Sequence, residues 1–324
     1  MLANRERILP GLIRELAAER GIKVTGFSQD WILRLESDGL ARHIFGYNFE
    51  VNSATAELMA GDKAAVSDVL AHLGVPHVPH RLFLHPRLSG YVSSQGNWPA
   101  MLAYADEVGY PLVCKPNTGT GGEGVSLVTN PAELEQTVMA LFQLHRSICL
   151  SRYLEIEQEY RAVMLDETCE LLYTKRRPHV VGDGTSSVLE LIEQLHLNGQ
   201  LSQELAGQAI EQHSGELRRV PEPGQEVLIG WKHNLGEGSA PQMVAEGSLY
   251  DQLVELARRA QQAINIRFTS VDMVEANGKL LVLEINSGVM MEYFVRHFPE
   301  GRPIAKGIYT KAVARMFGDE PQGS

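Results

Sequence analysis

Cysteine is scarce in this 324-residue chain: Cys114, Cys149 and Cys169 lie far apart, with no CxxC pair and no Cys/His ligand spacing. That pattern excludes a disulfide scaffold and a zinc finger, and leaves reduced core thiols as the expectation. Long apolar runs are missing too. None approaches the roughly 18 residues of a membrane span, and the opening MLANRERILPGLIREL contains no signal-peptide stretch, so a cytoplasmic address with no membrane partner is expected. There is no block of Lys and Arg, and the net charge is -11. Phosphate backbones are gripped by clustered cations, so nucleic acid is not expected as a partner, and small-molecule chemistry is. A Ser/His/Asp or Cys/His nucleophile set is likewise absent. The histidines at 72, 77, 80 and 85 fit neither one strand face nor a helical ligand pair, and structural or solvent-facing roles are expected for them.

What is present is enough apolar residue, 44%, for a sizeable core in one large or two to three small domains. Helical spacing from Asn4 to Arg20, stopped by Gly21, predicts a surface helix, and alternation from Ile22 to Ser53, as in HIFGYNFEV, predicts strands. Residues 1–60 are read as a leading lobe, 61–148 as a second segment and 149–324 as a third. Asp62 is placed to cap a helix running through Leu73, and Asn130, followed by Pro131 and Glu133, to cap another. YPLVCK and GVSLV read as strands flanking a glycine loop, SICLSRYL and QEYRAVML as a further strand pair, and Ser187 as the cap of VLELIEQL. Ser248–Ile264 reads as an amphipathic helix, and SVDMVEANGKLLVLEIN as a hairpin about Asn277-Gly278.

GTGGEG, residues 119–124, matches GxGxxG by letter but not by context. A dinucleotide fingerprint needs its third glycine inside a helix start, and here that glycine opens the β-branched run VSLV. A Walker loop fails as well, because Lys115 precedes the glycines instead of following them. A strand lysine ahead of a glycine hairpin can hold a triphosphate: the ammonium supplies charge while backbone N–H groups approach the oxygens.

Asp272, Glu284 and Asn286 offer the hard oxygen atoms that Mg2+ binds. Glu284 and Asn286 share a strand face by their period of two. Asp272 depends on the turn. A two-residue Asn277-Gly278 turn pairs position 272 with 283 and turns Asp272 away from Glu284. A three-residue loop with Gly278 as the bulge residue pairs 272 with 282 and brings Asp272 back. A metal site therefore predicts the bulged turn. Arg161, Arg176 and Lys232 are candidates to hold an acyl phosphate or a substrate carboxylate. Met290, Met291, Tyr293 and Phe294 read first as core and secondly as a pocket wall.

In their order and spacing, from about Asn52 to Met316, these motifs resemble the ATP-grasp enzymes. The resemblance implies an α+β ATP-grasp fold, in which two α+β lobes clamp ATP behind a short N-terminal lobe. It implies that Lys63 and Lys115 contact phosphates beneath a hairpin of Thr118, Gly119, Thr120, Gly121, Gly122 and Gly124. An adenine hinge at Arg152, Tyr153 and Leu154 is implied, with Glu159 on the ribose and Glu157 as its rival, and Asn234 joins the nucleotide contacts. Asp272, Glu284 and Asn286 match the family's metal triad for Mg2+, with Mn2+ as an alternative. PHVVGDGTSSVLELI and the later KHNLGEG are similar to the ATP-grasp part of cyanophycin synthetase and of glutathione-synthesising fusion enzymes. Three features depart from the family pattern: Ser151 at an acidic hinge position, INSGVMM after the triad, and the short leading lobe. The implied activity is ATP-dependent joining of a carboxylate to an amine, on amino acids or a short peptide, through an acyl phosphate. A kinase or carboxylase on the same fold and a non-enzymatic nucleotide-binding regulator are the alternatives, and a homo-oligomer is left open.

Overall fold

The computed structural model describes residues 7–91, 98–119, 122–175, 177–199, 201–230 and 241–319. Two compact units are present, one made of residues up to Leu172, Ala245–Glu292 and from Arg302 onward, the other of Tyr173–Val244 and Tyr293–Gly301.

The first unit begins with α1 (Ile8–Glu19), ended by Gly21 at φ +68, and an antiparallel sheet of β1 (Lys23–Phe27), β2 (Ile32–Ser37), β3 (Leu40–Phe45) and β4 (Asn48–Phe49) in sequential order. Leu9, Leu12, Ile13 and Leu16 of α1 are buried. Then come α2 (Ala54–Ala60) and α3 (Lys63–His72). Asp62 caps α3 as expected, its Oδ1 accepting from the Ala65 N–H at 2.9 Å.

A second antiparallel sheet, ordered β5-β8-β6-β7, is built from β5 (Arg81–Leu84), β6 (Leu112–Pro116), β7 (Ser126–Val128) and β8 (Ser147–Arg152). Its helices are α4 (Trp98–Val108) and α5 (Pro131–Leu144), the latter capped by Asn130 with Pro131 in its first turn. Strand alternation divides this sheet's faces. Leu112, Cys114, Ile148 and Leu150 pack with Met101, Leu134 and Val138 of the helices, which leaves Val113 and Lys115 on the opposite face with their cross-strand partners Ser151 and Cys149.

β9 (Gln158–Leu165) was expected to pair with the strand now seen as β8, and it does not. It pairs with β14 in a different sheet, because alternation identifies a strand without identifying its neighbour. The chain passes into the second unit within β10 (Thr168–Lys175). There β11 (His179–Val181), α6 (Val188–Leu197), α7 (Gln203–Gln212) and β12 (Glu226–Leu228) enclose a small core of Val180, Val188, Ile192, Ala209 and Val227, and β13 (Pro241–Met243) pairs with the end of β10. Ser187 and Glu190 form a reciprocal capping box at the start of α6.

Back in the first unit, α8 (Ser248–Ala263) lies against β9, β14 (Phe268–Ala276) and β15 (Lys279–Asn286), burying Leu253, Leu256, Ala257 and Ala260. Of the last elements, α9 (Glu292–His297) falls in the second unit from Tyr293 on, and α10 (Gly301–Met316) in the first from Arg302 on. Among the described residues no helix is long and apolar enough to cross a membrane.

All three cysteines are free thiols, as expected. Burial pushes Cys114 up to about 12 and both Cys149 and Cys169 up to about 11. At about pH 8 only on the order of one such thiol in a thousand is ionised. Iodoacetamide is therefore expected to leave the folded chain unlabelled and to add three groups after denaturation, counted by intact mass.

Candidate functional site: a lysine pair facing a carboxylate hairpin

The site lies wholly within the first unit, and β6 anchors one side of it. Past Pro116 the chain fastens the start of α3: the Asn117 carbonyl accepts from the Lys63 N–H at 3.2 Å, its side-chain Oδ1 accepts from the Ala64 N–H at 3.1 Å, and Thr118 bridges to Asp62. These contacts bring Lys63 to the glycine hairpin, where its Nζ donates to the Gly119 carbonyl at 2.7 Å. β6 and β7 pair from Leu112↔Val128 to Cys114↔Ser126, so the glycines do join two strands, as the VSLV run implied. Gly122 and Gly124 have φ of +77 and +69. At Gly124 a Cβ would also lie 3.0 Å from Pro116, which makes glycine the residue that fits there.

Lys115 is 7% exposed and makes no hydrogen bond from its ammonium among the described residues. Burial lowers its pKa, and nearby Lys63 adds to the effect, while Cys149, Glu284 and Glu159 oppose it. A buried cation held this way favours the approach of an anion.

The hairpin corrects one expectation and keeps its consequence. Asn277 and Gly278, at φ +51 and +66, form a two-residue turn that pairs Ala276 with Lys279, so Gly278 is not a bulge residue. The bulge lies further along. Met273 pairs with Val282 and Asp272 pairs with Glu284, leaving Leu283 as the extra residue. Asp272 and Glu284 therefore stand directly opposite on one face, and Asn286 follows opposite Ser270. On the other side of β14, Asp272 pairs with Arg161 and Val274 with Glu159, so those two side chains share that face as well. The residues that alternate with Asp272, Val271 and Met273, are fully buried and apolar.

Both hairpin carboxylates of the expected triad, Asp272 and Glu284, meet a cation. Arg161 grips Asp272 through two hydrogen bonds of 2.6 Å, and the side chain of Asp272 is only 6% exposed. The Asn286 amide lies 3.4 Å from Asp272 Oδ2. Lys63 forms an ion pair with Glu284 at 3.0 Å, with side-chain exposures of 8% and 23%.

The donor set suits a hard divalent cation: two carboxylates and one amide on a single face, with no thiol or imidazole among them. Among the described residues no group of three or more His, Cys, Asp or Glu is placed to hold a metal ion. Two carboxylates are nevertheless what Mg2+ ordinarily takes from a protein when phosphate oxygens and water complete its shell. Asp272, Glu284 and Asn286 could hold Mg2+ or Mn2+ on condition that Arg161 and Lys63 release their carboxylates.

The remaining expected residues are more dispersed. Arg152 is exposed at the end of β8, and Tyr153 and Leu154 are half-buried just beyond it. Glu159 is buried, whereas its rival Glu157 is exposed, with its N–H donating to the Glu275 carbonyl. Thr118 is exposed. Thr120, Gly121, Arg176, Lys232 and Asn234 lie outside the described residues. Asn117 was missed, and His80, expected in a structural or solvent-facing role, is buried. The KPN run directly after the strand lysine is a signal for Asn117, but nothing local marks His80 as different from its three histidine neighbours.

This architecture, with its lysine pair and carboxylate hairpin, is the ATP-grasp fold, and comparison with known proteins bears out the resemblance. Residues 85–210 match the family model described as the carbamoyl-phosphate synthase L chain, ATP binding domain. Over 283 residues the chain is 24% identical to a cyanophycin synthetase from a Nostoc species, a match that takes in 82% of this chain and 30% of that protein's length. Among solved structures, a bifunctional glutathione synthetase from Pasteurella multocida superposes with a TM-score of 0.56 at 17% identity, covering 93% of this chain and 44% of that one. A D-alanine–D-alanine ligase from Bacillus anthracis gives a TM-score of 0.53 at 14% identity, covering 82% and 69%.

Proposed function

We propose that the chain is an ATP-dependent carboxylate–amine ligase that joins amino acids or a short peptide through an acyl phosphate. The observation that carries this reading is the Asp272–Glu284 pair, set face to face across a bulge and within reach of Lys63. The names of its relatives, a D-alanine–D-alanine ligase and synthetases of glutathione and cyanophycin, support it.

A carboxylate and an amine do not condense unaided near neutral pH. In the proposed reaction a substrate carboxylate oxygen attacks the γ-phosphorus of ATP, ADP departs, and the amine nitrogen then attacks the acyl carbon and expels phosphate. Lys63 and Lys115 would counter the charge of the phosphate chain, and the glycine hairpin would cover it and exclude water. A divalent cation bound by Asp272, Glu284 and Asn286 would neutralise the β- and γ-phosphate oxygens. With Glu284 given to the cation, Lys63 would be free to donate to phosphate. Arg161, freed in the same way from Asp272, is suited to an oxyanion by its two parallel N–H groups.

The test is phosphate release from ATP with Mg2+, against amino acids supplied singly and in pairs, followed by product mass. A product equal to the sum of two substrates less water is expected. A product that gains only a phosphate group would replace the ligase reading with a kinase. No release with any acceptor would remove the proposed activity.

A further inference from the structure

His80 is 6% exposed, and its Nε2 has no hydrogen-bond partner among the described residues. Leaving a buried polar atom unpaired is unfavourable, and proteins rarely do so without a use for it. The position of His80 points to one. Its backbone N–H donates to Ser67 Oγ at 2.9 Å, and Ser67 lies one turn beyond Lys63 on the same face of α3. Lys63, Ser67, His80 and Glu284 line one small cavity, closed on its other side by Val282 and Leu283 at the bulge.

The segment carrying His80 is fixed to that bulge. The Val78 N–H donates to the Val282 carbonyl and the Val282 N–H to the Pro76 carbonyl, each at 2.9 Å. A neutral imidazole carries a lone pair on one of its ring nitrogens, and Nε2, which has no partner among the described residues, is the one open to accept. Burial first, then the charges of Lys115 and Lys63, hold the imidazole well below its usual pKa, which keeps it neutral. On the other side, the Lys63 ammonium has three N–H groups, of which Glu284 and the Gly119 carbonyl take two.

We propose that His80 is a positioning residue for Lys63: its Nε2 accepts an ammonium N–H, directly or through one cavity water, and aims the lysine at the nucleotide phosphates once Glu284 turns to a cation. This rests on the nucleotide-binding part of the proposed function and deepens it. An unaimed ammonium would still carry its charge, so the loss expected from removing His80 is graded and not complete.

Equilibrium binding of Mg-ATP to the full chain, with the melting temperature followed in parallel, tests the proposal. His80→Leu is expected to weaken binding about tenfold, the worth of one charge-assisted hydrogen bond, without lowering the melting temperature. His80→Gln, whose Oε1 can accept in place of Nε2, should bind within about threefold of the parent. Lys63→Met combined with His80→Leu should bind no more weakly than Lys63→Met alone, because the histidine acts through the lysine. Unchanged binding in His80→Leu, a Gln variant as weak as the Leu variant, or losses that multiply in the double variant would each overturn the proposal. A parent chain that binds Mg-ATP but makes no amide would overturn the ligase reading and leave this one standing. A parent that binds no nucleotide would overturn both.

Discussion

Glu284→Gln is expected to lower ATP-dependent amide formation by at least about a hundredfold, with phosphate release falling in step. The substitution keeps the shape of the side chain and removes its charge. Glu284 supplies one of two carboxylates on the hairpin face, and a neutral amide in its place leaves Asp272 as the only anionic donor beside Asn286. A divalent cation that neutralises phosphate oxygens must itself be held, so affinity for the cation should fall before anything else changes. Raising Mg2+ or Mn2+ should therefore recover part of the rate, which a loss due to misfolding would not allow. The fold should tolerate the change, because Glu284 is partly exposed and Lys63 keeps its bond to the Gly119 carbonyl. Turnover within a few-fold of the parent would remove Glu284 from the mechanism, and the metal assignment with it.

The way Glu284 reaches Asp272 shows what the sequence could tell and what it could not. Period-two alternation placed Glu284 and Asn286 on one face, and Asn277-Gly278 marked the turn. The register between the two strands depended on something remote. The backbone of Val282 exchanges hydrogen bonds with Pro76 and Val78, some 200 positions earlier, and the ladder to β14 slips immediately after that residue. A two-residue turn by itself would have set Asp272 against Leu283. The bulge inside β15 undoes that offset, and no residue near the turn announces it.

Other elements divide along the same line. Caps were legible because they are local: Asp62, Asn130 and Ser187 each satisfy an N–H three residues on. The partnership of β8 and β9 was not, because two strands adjacent in sequence can belong to different sheets. Lys63 and Glu284 were each expected at the site, the one on phosphate and the other on a metal. They meet each other instead, at 3.0 Å, where the segment just after α3 is bonded to β15: Pro76 and Val78 exchange hydrogen bonds with Val282, two residues before Glu284. Arg161 likewise was expected near an oxyanion, and the oxyanion it holds is Asp272.

That last pairing leads to the second large effect. Arg161→Met is expected to destabilise the metal-free chain by about 3–5 kcal/mol, because it removes the guanidinium that holds both oxygens of the buried Asp272 carboxylate. Removing both charges should cost less: the Arg161→Met, Asp272→Asn double variant should recover much of the loss, since no uncompensated charge remains. Denaturant unfolding of the parent, the single variants and the double variant measures both effects. The same cycle bears on the metal. If Asp272 is a cation ligand, Arg161 competes with the cation for it, and in Arg161→Met that competition is gone. Mn2+ should then raise the melting temperature of Arg161→Met by more than it raises that of the parent, and should do little for the double variant. Equal shifts in all three proteins would leave Arg161 as a structural partner of Asp272 and would take Asp272 out of the metal set. A larger shift confined to Arg161→Met would mean that the guanidinium occupies, in the metal-free chain, the position the cation takes when it binds.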